Sequence, residues 1–220
     1  MRALSMLMLA ISDLHGDMAS AKRAIQTFNP ELILCCGDWG DSNEVEADDL
    51  ALAMKERTVF STFGNHDRIE TLAQLRNPDG SAVLLEQGEV RRWRSWSIAA
   101  IGGIWAKSYR KPFYVTDEDV RQWAELIART GPVDILLTHG CPLGMADLTP
   151  AGRHGGQRCF LSAFQTVQPS IHLCGHLHRV QEYRLKDGRQ VVNAGQTSDG
   201  DVVTIDEVGG RLLARLARFE

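Results

Sequence analysis

The sequence predicts an α/β fold built on a parallel sheet, and two observations carry that prediction. Apolar runs at Met6–Ile11, Leu32–Cys36 and Thr58–Phe63 alternate with helical patterns at Asp17–Phe28 and Glu44–Arg57. That strand, helix, strand, helix, strand order belongs to parallel sheets. In addition, five apolar runs end directly in clusters rich in Asp, His or Asn. In open α/β sheets, ligands bind beyond the carboxyl ends of strands.

Each element has its own reason. Met6–Ile11 is continuously apolar, as a strand buried on both faces must be. Met18, Ala21, Ala24, Ile25 and Phe28 share one helical face, with Asp17 as the N-cap and Pro30 beyond the end. Ala82–Trp105 reads as strands and hairpins broken by Gly88 and Gly102-Gly103, and Lys107–Tyr114 as a basic, aromatic loop. Thr116 can cap a helix running to about Arg129, with Glu118-Asp119 in its first turn. Val133–Leu137 is a strand. Cys141–Gln157 is a long Gly/Pro loop of the kind that carries function. Arg158–Val167 reads as a helix and Ile171–Cys174 as a strand. Val180–Phe219 reads as hairpins turning at Asp187-Gly188 and Gly209-Gly210.

The chain has 220 residues, 44% of them apolar and 24% charged, with net charge −4. That length suits one domain over residues 1–220 with a sizeable core. With no long basic run, bulk charge gives no strong nucleic-acid signal. Five cysteines without regular spacing argue against a disulfide framework and for a reducing, cytoplasmic location. The apolar stretch at the start is too short to span a bilayer and has no small-residue cleavage site, so no membrane partner is expected.

The residue types in the clusters suit a metal pair. Asp13 and His15 are two apart, as are His176 and His178; on an extended chain each pair would point one way. Asp38 offers a carboxylate able to bridge two cations, Asn65 an amide oxygen and His139 an imidazole. Mixed nitrogen and oxygen donors suit Mn, Fe, Zn, Ni or Co. The lack of a Cys-x-x-Cys pair argues against a zinc ribbon.

Asp13-x-His15, Gly37-Asp38-x-x-Asp41, Gly64-Asn65-His66-Asp67, Thr138-His139 and Gly175-His176-x-His178, in that order, resemble the calcineurin-like metallophosphoesterases. The resemblance implies a four-layer α/β/β/α sandwich with two mixed β-sheets. It implies one metal held by Asp13, His15, Asp38 and His178, and a second held by Asp38, Asn65, His139 and His176. Mn is the favoured pair of ions. A hydroxide bridging the two metals would attack phosphorus, the cations roughly 3.5–4 Å apart. His66 would assist the leaving group, with Asp67 orienting or charging it. The stretch from Thr138 to His178 is similar to small bacterial phosphodiesterases, which favours phosphodiester substrates, cyclic nucleotides among them. The implied partner is a small phosphorylated molecule; oligomeric state is not legible.

Two other readings share the fold. One is a phosphomonoesterase or protein phosphatase, which Arg68 after the third block leaves open. The other is a scaffold without catalysis, as in the retromer coat, although such members lose a ligand or the third-block histidine.

Several residues have plainer readings. Asp41 suits a supporting or capping role, His172 a satisfied core histidine, and Trp39 either packing or a wall of the site. His154, Arg153 and Arg158 in the Gly-rich segment, and Lys107, Tyr109, Arg110 and Lys111 in the middle loop, are candidate substrate contacts set against ordinary solvated loops. The cysteines read as core residues, with an accessible thiol at Cys141, beside the His139 strand end, as the alternative.

Overall fold

Short apolar segments become strands where both faces can be covered. The computed structural model describes residues 8–41, 45, 48, 50, 51 and 57–220. In it, β1 (Met8–Ile11), β2 (Leu32–Cys35) and β3 (Thr58–Ser61) lie side by side and parallel. The middle of the chain gives β4 (Val90–Trp93), β5 (Trp96–Ile101), β6 (Ile104–Trp105), β7 (Tyr114–Val115), β8 (Ile135–Thr138) and β9 (Ile171–Cys174). The last part gives β10 (Gln181–Arg184), β11 (Gln190–Asn193), β12 (Asp201–Val208) and β13 (Arg211–Arg218). One sheet has the order β13-β12-β1-β2-β3, the other β10-β11-β9-β8-β5-β4, and β6 pairs with β7 in a small parallel ribbon.

Alternation along the strands divides the core into layers. Met8, Ala10, Leu32 and Leu34 of the first sheet meet Ile98, Ile135, Leu137, Ile171 and Leu173 of the second between the sheets. The alternate residues Leu9, Ile11 and Ile33 face outward onto Met18, Ala21 and Ala24 of α1 (Met18–Phe28). On the far side, Ala99, Ile101 and Leu136 meet Val120, Ala124 and Ile127 of α3 (Asp117–Arg129) and Phe160 and Ala163 of α4 (Arg158–Val167). Each sheet is therefore buried on both faces, and the four layers follow. A short α2 (Ile69–Leu72) comes after the third strand.

Caps set the helix ends. Asp17 accepts from the Ser20 amide at 3.0 Å, and Asn29 stops α1 in the left-handed region. Thr116 and Asp119 form a reciprocal capping box at α3, which satisfies two otherwise unpaired donors.

β2 and β3 end before the apolar runs that predicted them, where the chain leaves the sheet toward its polar cluster. The two C-terminal hairpins separate: β10–β11 extends the second sheet, while β12–β13 crosses to pair antiparallel with β1. The helical stretch expected at Glu44–Arg57 falls mostly outside the described residues. Among the described residues no helix is long and apolar enough to cross a membrane.

Candidate metal centre

The five clusters follow the carboxyl ends of β1, β2, β3, β8 and β9. Because β1–β3 run parallel in one sheet and β8–β9 in the other, the clusters meet at one end of the sandwich. Cross-sheet contacts hold them there. The His176 amide donates to Asp13 Oδ2 at 2.9 Å, and His139 Nδ1 lies 2.8 Å from the Cys36 carbonyl. A ring N–H donating to that carbonyl leaves the His139 Nε2 lone pair facing the site, as a metal ligand requires.

The backbone is not extended at these residues. Asp13 (φ 53°), His15 (46°), Asp38 (58°), His176 (68°) and His178 (51°) all lie in the left-handed region. Non-glycine residues adopt it at a cost and cluster there at functional sites. The Asp13/His15 and His176/His178 pairs therefore converge through a local twist, not through the extended alternation expected from their spacing. Close approach also explains two glycines. A Cβ at Gly64 would collide with Asp38 Oδ1 and the His139 ring, and one at Gly175 with Ser12 Oγ and Asp13 Oδ2.

Donor atoms gather in overlapping sets. Asp13, His15 and His178 form one group of mutually close donors, and Asp38, His139 and His176 another. In the first, His178 Nε2 lies 3.3 Å from Asp13 Oδ1, His15 Nε2 lies 3.9 Å from it, and the two imidazole nitrogens are 3.1 Å apart. In the second, His139 Nε2 lies 3.3 Å from Asp38 Oδ2 and 3.2 Å from Asn65 Oδ1. Donors bound to one cation at about 2.0–2.2 Å stand roughly 3.0–3.4 Å apart; the His15–His178, His178–Asp13, His139–Asp38 and His139–Asn65 spacings fall in that range, and only the His15–Asp13 separation is wider. The nitrogen and carboxylate composition fits a transition metal.

The charges of the protein groups alone point the same way. Burial works against ionising Asp38, yet the His139 charge and hydrogen bonds from His139 and the His66 amide hold it well below the usual carboxylate range. Burial likewise opposes a charged His139, but Asp38 carries it up to about 10. Burial, then the His139 charge, lowers His176 to about 4. His178 is raised, chiefly by its hydrogen bond to Asp13. Buried carboxylates thus draw positive charge onto His139 and His178, while His176 stays neutral; a cation can take the place of those protons.

The third block departs from expectation in its carboxylates. Asp67 does not lie against His66. Its Oδ2 accepts from the Asp38 and Gly64 amides at 2.7 and 2.8 Å, and its Oδ1 from Trp39 at 2.8 Å. It ties the second block to the third, and burial with the neighbouring Asp38 charge raises it to about 6. The partner of His66 is Asp41, with Oδ2 at 3.1 Å from Nδ1. The His66 ring also stands 5.0 Å from the His15 ring, and it forms a third donor group with His15 and Asp38.

Other candidates find different places. Trp39 packs in the core and donates to Ser61 Oγ at 2.9 Å. Cys141 is buried with Cys174 and Leu177, in line with the core reading of the cysteines and not with the accessible alternative. His172 has a partner on one nitrogen only: Nε2 meets Thr138 Oγ1 at 2.8 Å, while Nδ1 has none among the described residues. Tyr109 bonds Asp119 at 2.8 Å and so supports the start of α3. Lys107 and Arg110 line a cleft with Trp105 and Tyr114, and Lys111 stands over the Phe113 ring. The Arg153 amide bonds Thr149 within its own loop, and Arg158 opens α4.

His154 pairs at 2.7 Å with Asp147, a buried carboxylate the sequence reading did not single out. Asp147 also accepts from Gly144 and Gly156, so it is the organising residue of the Gly-rich loop. Ser12 and Asn193 were missed as supports too. Ser12 Oγ donates to Asp13 at 2.6 Å, and Asn193 Nδ2 donates to the Gly175 carbonyl at 2.9 Å. Their only sequence signal was a polar residue at the end of an apolar run.

Comparisons place this geometry among known proteins. The chain is 25% identical over 181 residues to an uncharacterized protein of Methanocaldococcus jannaschii, spanning 79% of this chain and 80% of that one. It is 24% identical over 177 residues to a lariat debranching enzyme of Arabidopsis thaliana, spanning 61% of this chain but only 42% of that enzyme. The fold is shared with a dimetal phosphatase of Danio rerio at TM-score 0.63 and 10% identity, covering 98% of this chain and 97% of that one. Residues 6–180 match the family model of the calcineurin-like phosphoesterases, and the chain belongs to that family.

Proposed function

We propose that this protein hydrolyses phosphodiesters with two divalent metal ions, Mn²⁺ favoured, in the cytoplasm. The observation that carries the reading is the pair of donor sets, Asp13/His15/His178 and Asp38/His139/His176, with His66 grouped with His15 of the first and Asp38 of the second. Asp38 would bridge, and Asn65 would complete the second set. When bound, the cation pair supplies a water of lowered pKa and positive charge for the phosphate oxygens. The chain's own residues do the rest. Asp41 accepts from His66 Nδ1–H, and in the doubly protonated ring Nε2 carries the second proton, the one passed to the leaving group. As the phosphorus–oxygen bond breaks, its electron pair stays on the leaving oxygen, and that oxygen takes the Nε2 proton. Asp67 holds the Asp38 and Gly64 loops in register through its three amide contacts. The diester preference is supported by the likeness of the Thr138–His178 segment to small phosphodiesterases and by the similarity to a lariat debranching enzyme.

The test is turnover of bis-p-nitrophenyl phosphate and p-nitrophenyl phosphate with Mn²⁺, Ni²⁺ or Zn²⁺. Metal-dependent hydrolysis with the diester preferred is expected. Asp38→Ala should abolish it, and His66→Ala should lower kcat about 10²–10⁴-fold. No metal-dependent turnover of either substrate would overturn the proposal, and a monoester preference would overturn its diester part.

A further inference from the structure

A cleft of about 460 Å³ opens beside the metal centre, with Asn65 and Asp41 on its inner side. Its outer walls are Arg68, Glu70, Pro112 and Phe113. The position follows from the fold. Gly103 donates to the Phe63 carbonyl at 2.7 Å, which fastens the β6–β7 ribbon next to the third block. The Phe113 carbonyl accepts from Ile104 at 3.0 Å, so the ring is carried on that ribbon and packed into place rather than set on a free loop. The Arg68 side chain, also part of the lining, has no ion-pair or hydrogen-bond partner among the described residues, although its carbonyl accepts from Thr71 and Leu72.

The cleft lies on the side of the centre where Asp41 stands behind His66. Asn65, which stands beside His139 in the second donor set, also lines the cleft, so an organic group on a phosphate held at the centre can extend into it. We infer that the cleft is the subsite for an organic group of the phosphate ester and that Phe113 and Arg68 select an aromatic or heterocyclic one; this rests on the hydrolase reading above. The Phe113 ring offers a flat apolar face to a planar ring. The Arg68 guanidinium offers a planar fork of donors to an acceptor atom on that ring. The Asp41 and Glu70 carboxylates oppose a group that is itself anionic. An uncharged planar group with an acceptor on its outer edge satisfies all three conditions.

The experiment reads binding as well as turnover. Methylphosphonate, phenylphosphonate and p-nitrophenylphosphonate are titrated by calorimetry into the Mn²⁺-loaded protein, as wild type, Arg68→Ala and Phe113→Leu. The aryl ligands should bind the wild type about three- to tenfold more tightly than methylphosphonate. Phe113→Leu should remove that preference while keeping an apolar side chain in the ribbon. Arg68→Ala should remove only the advantage of p-nitrophenyl over phenyl. In turnover of bis-p-nitrophenyl phosphate, both variants should raise KM by a larger factor than they lower kcat. Equal affinity for the three ligands in the wild type, or an aryl preference that survives in both variants, overturns the subsite. Loss of the aryl preference in the variants, in a protein with no metal-dependent turnover, would instead overturn the hydrolase reading and leave the subsite standing.

Discussion

At the scale of single residues, the pairing of His66 with Asp41 decides how a proton can be handled. An imidazole whose Nδ1 faces a carboxylate has its tautomer and orientation fixed. Asp41 follows Asp38 by three positions, and the bend that puts Asp38 at φ 58° carries it toward the third block. Asp67, next to His66 in sequence, is turned inward by the amides of Gly64, Asp38 and Trp39. Asp41→Asn should therefore lower kcat, with a larger loss for alkyl than for p-nitrophenyl leaving groups. The double variant Asp41→Asn/His66→Ala should be no slower than His66→Ala alone. Steady-state kinetics of the cycle check this; additive losses would show that Asp41 acts independently of His66.

At the scale of elements, β9 and α4 pack through a histidine that must stay neutral. The His172 ring stacks on Phe164 of α4 at 5.9 Å between centroids, and burial lowers it from 6.5 to about 3. The unfolded chain takes up a proton at its ordinary pKa, whereas the folded one resists until about pH 3. The stability from keeping this ring neutral is thus complete above about pH 6.5 and falls with pH down to about 3. Its slope is about 1.4 kcal/mol per pH unit, on the order of 2 kcal/mol between pH 6.5 and 5. Urea unfolding should show His172→Leu losing less stability than the wild type over that interval, by about 1–2 kcal/mol. Equal losses would place the acid sensitivity elsewhere.

At the scale of the whole molecule, the candidate centre is a clasp between two sheets. Asp13, His15, Asp38 and Asn65 come from the sheet of β1–β3, and His139, His176 and His178 from that of β8 and β9. A cation held by both sides binds the folded chain and not the unfolded one. Mn²⁺ at a hundred times its dissociation constant should add about 2.7 kcal/mol to the unfolding free energy, and chelation should remove it. Thermal unfolding with Mn²⁺ and after chelation measures this. In Asp38→Ala, which lacks the bridging carboxylate, the shift should largely disappear.

The sequence by itself determined the family and the placement of its five polar clusters at strand ends. Apolar runs ending in Asp13, Asp38, Asn65, His139 and His176 revealed strands and the donors at their ends, because burial along a short segment is a local property of the chain. The cap at Thr116 and the stops near Phe28 and Val167 were legible for the same reason. Only the tertiary structure decided which groups meet. It sent β12 to pair with β1, put Asp41 and not Asp67 behind His66, and brought Phe113 and Arg68 to one cleft. These contacts join segments far apart in the chain, and their geometry depends on the packing of two sheets and on backbone turns such as those at Asp13 and Asp38. A one-dimensional pattern records which face of a segment is buried; it does not record what that face meets.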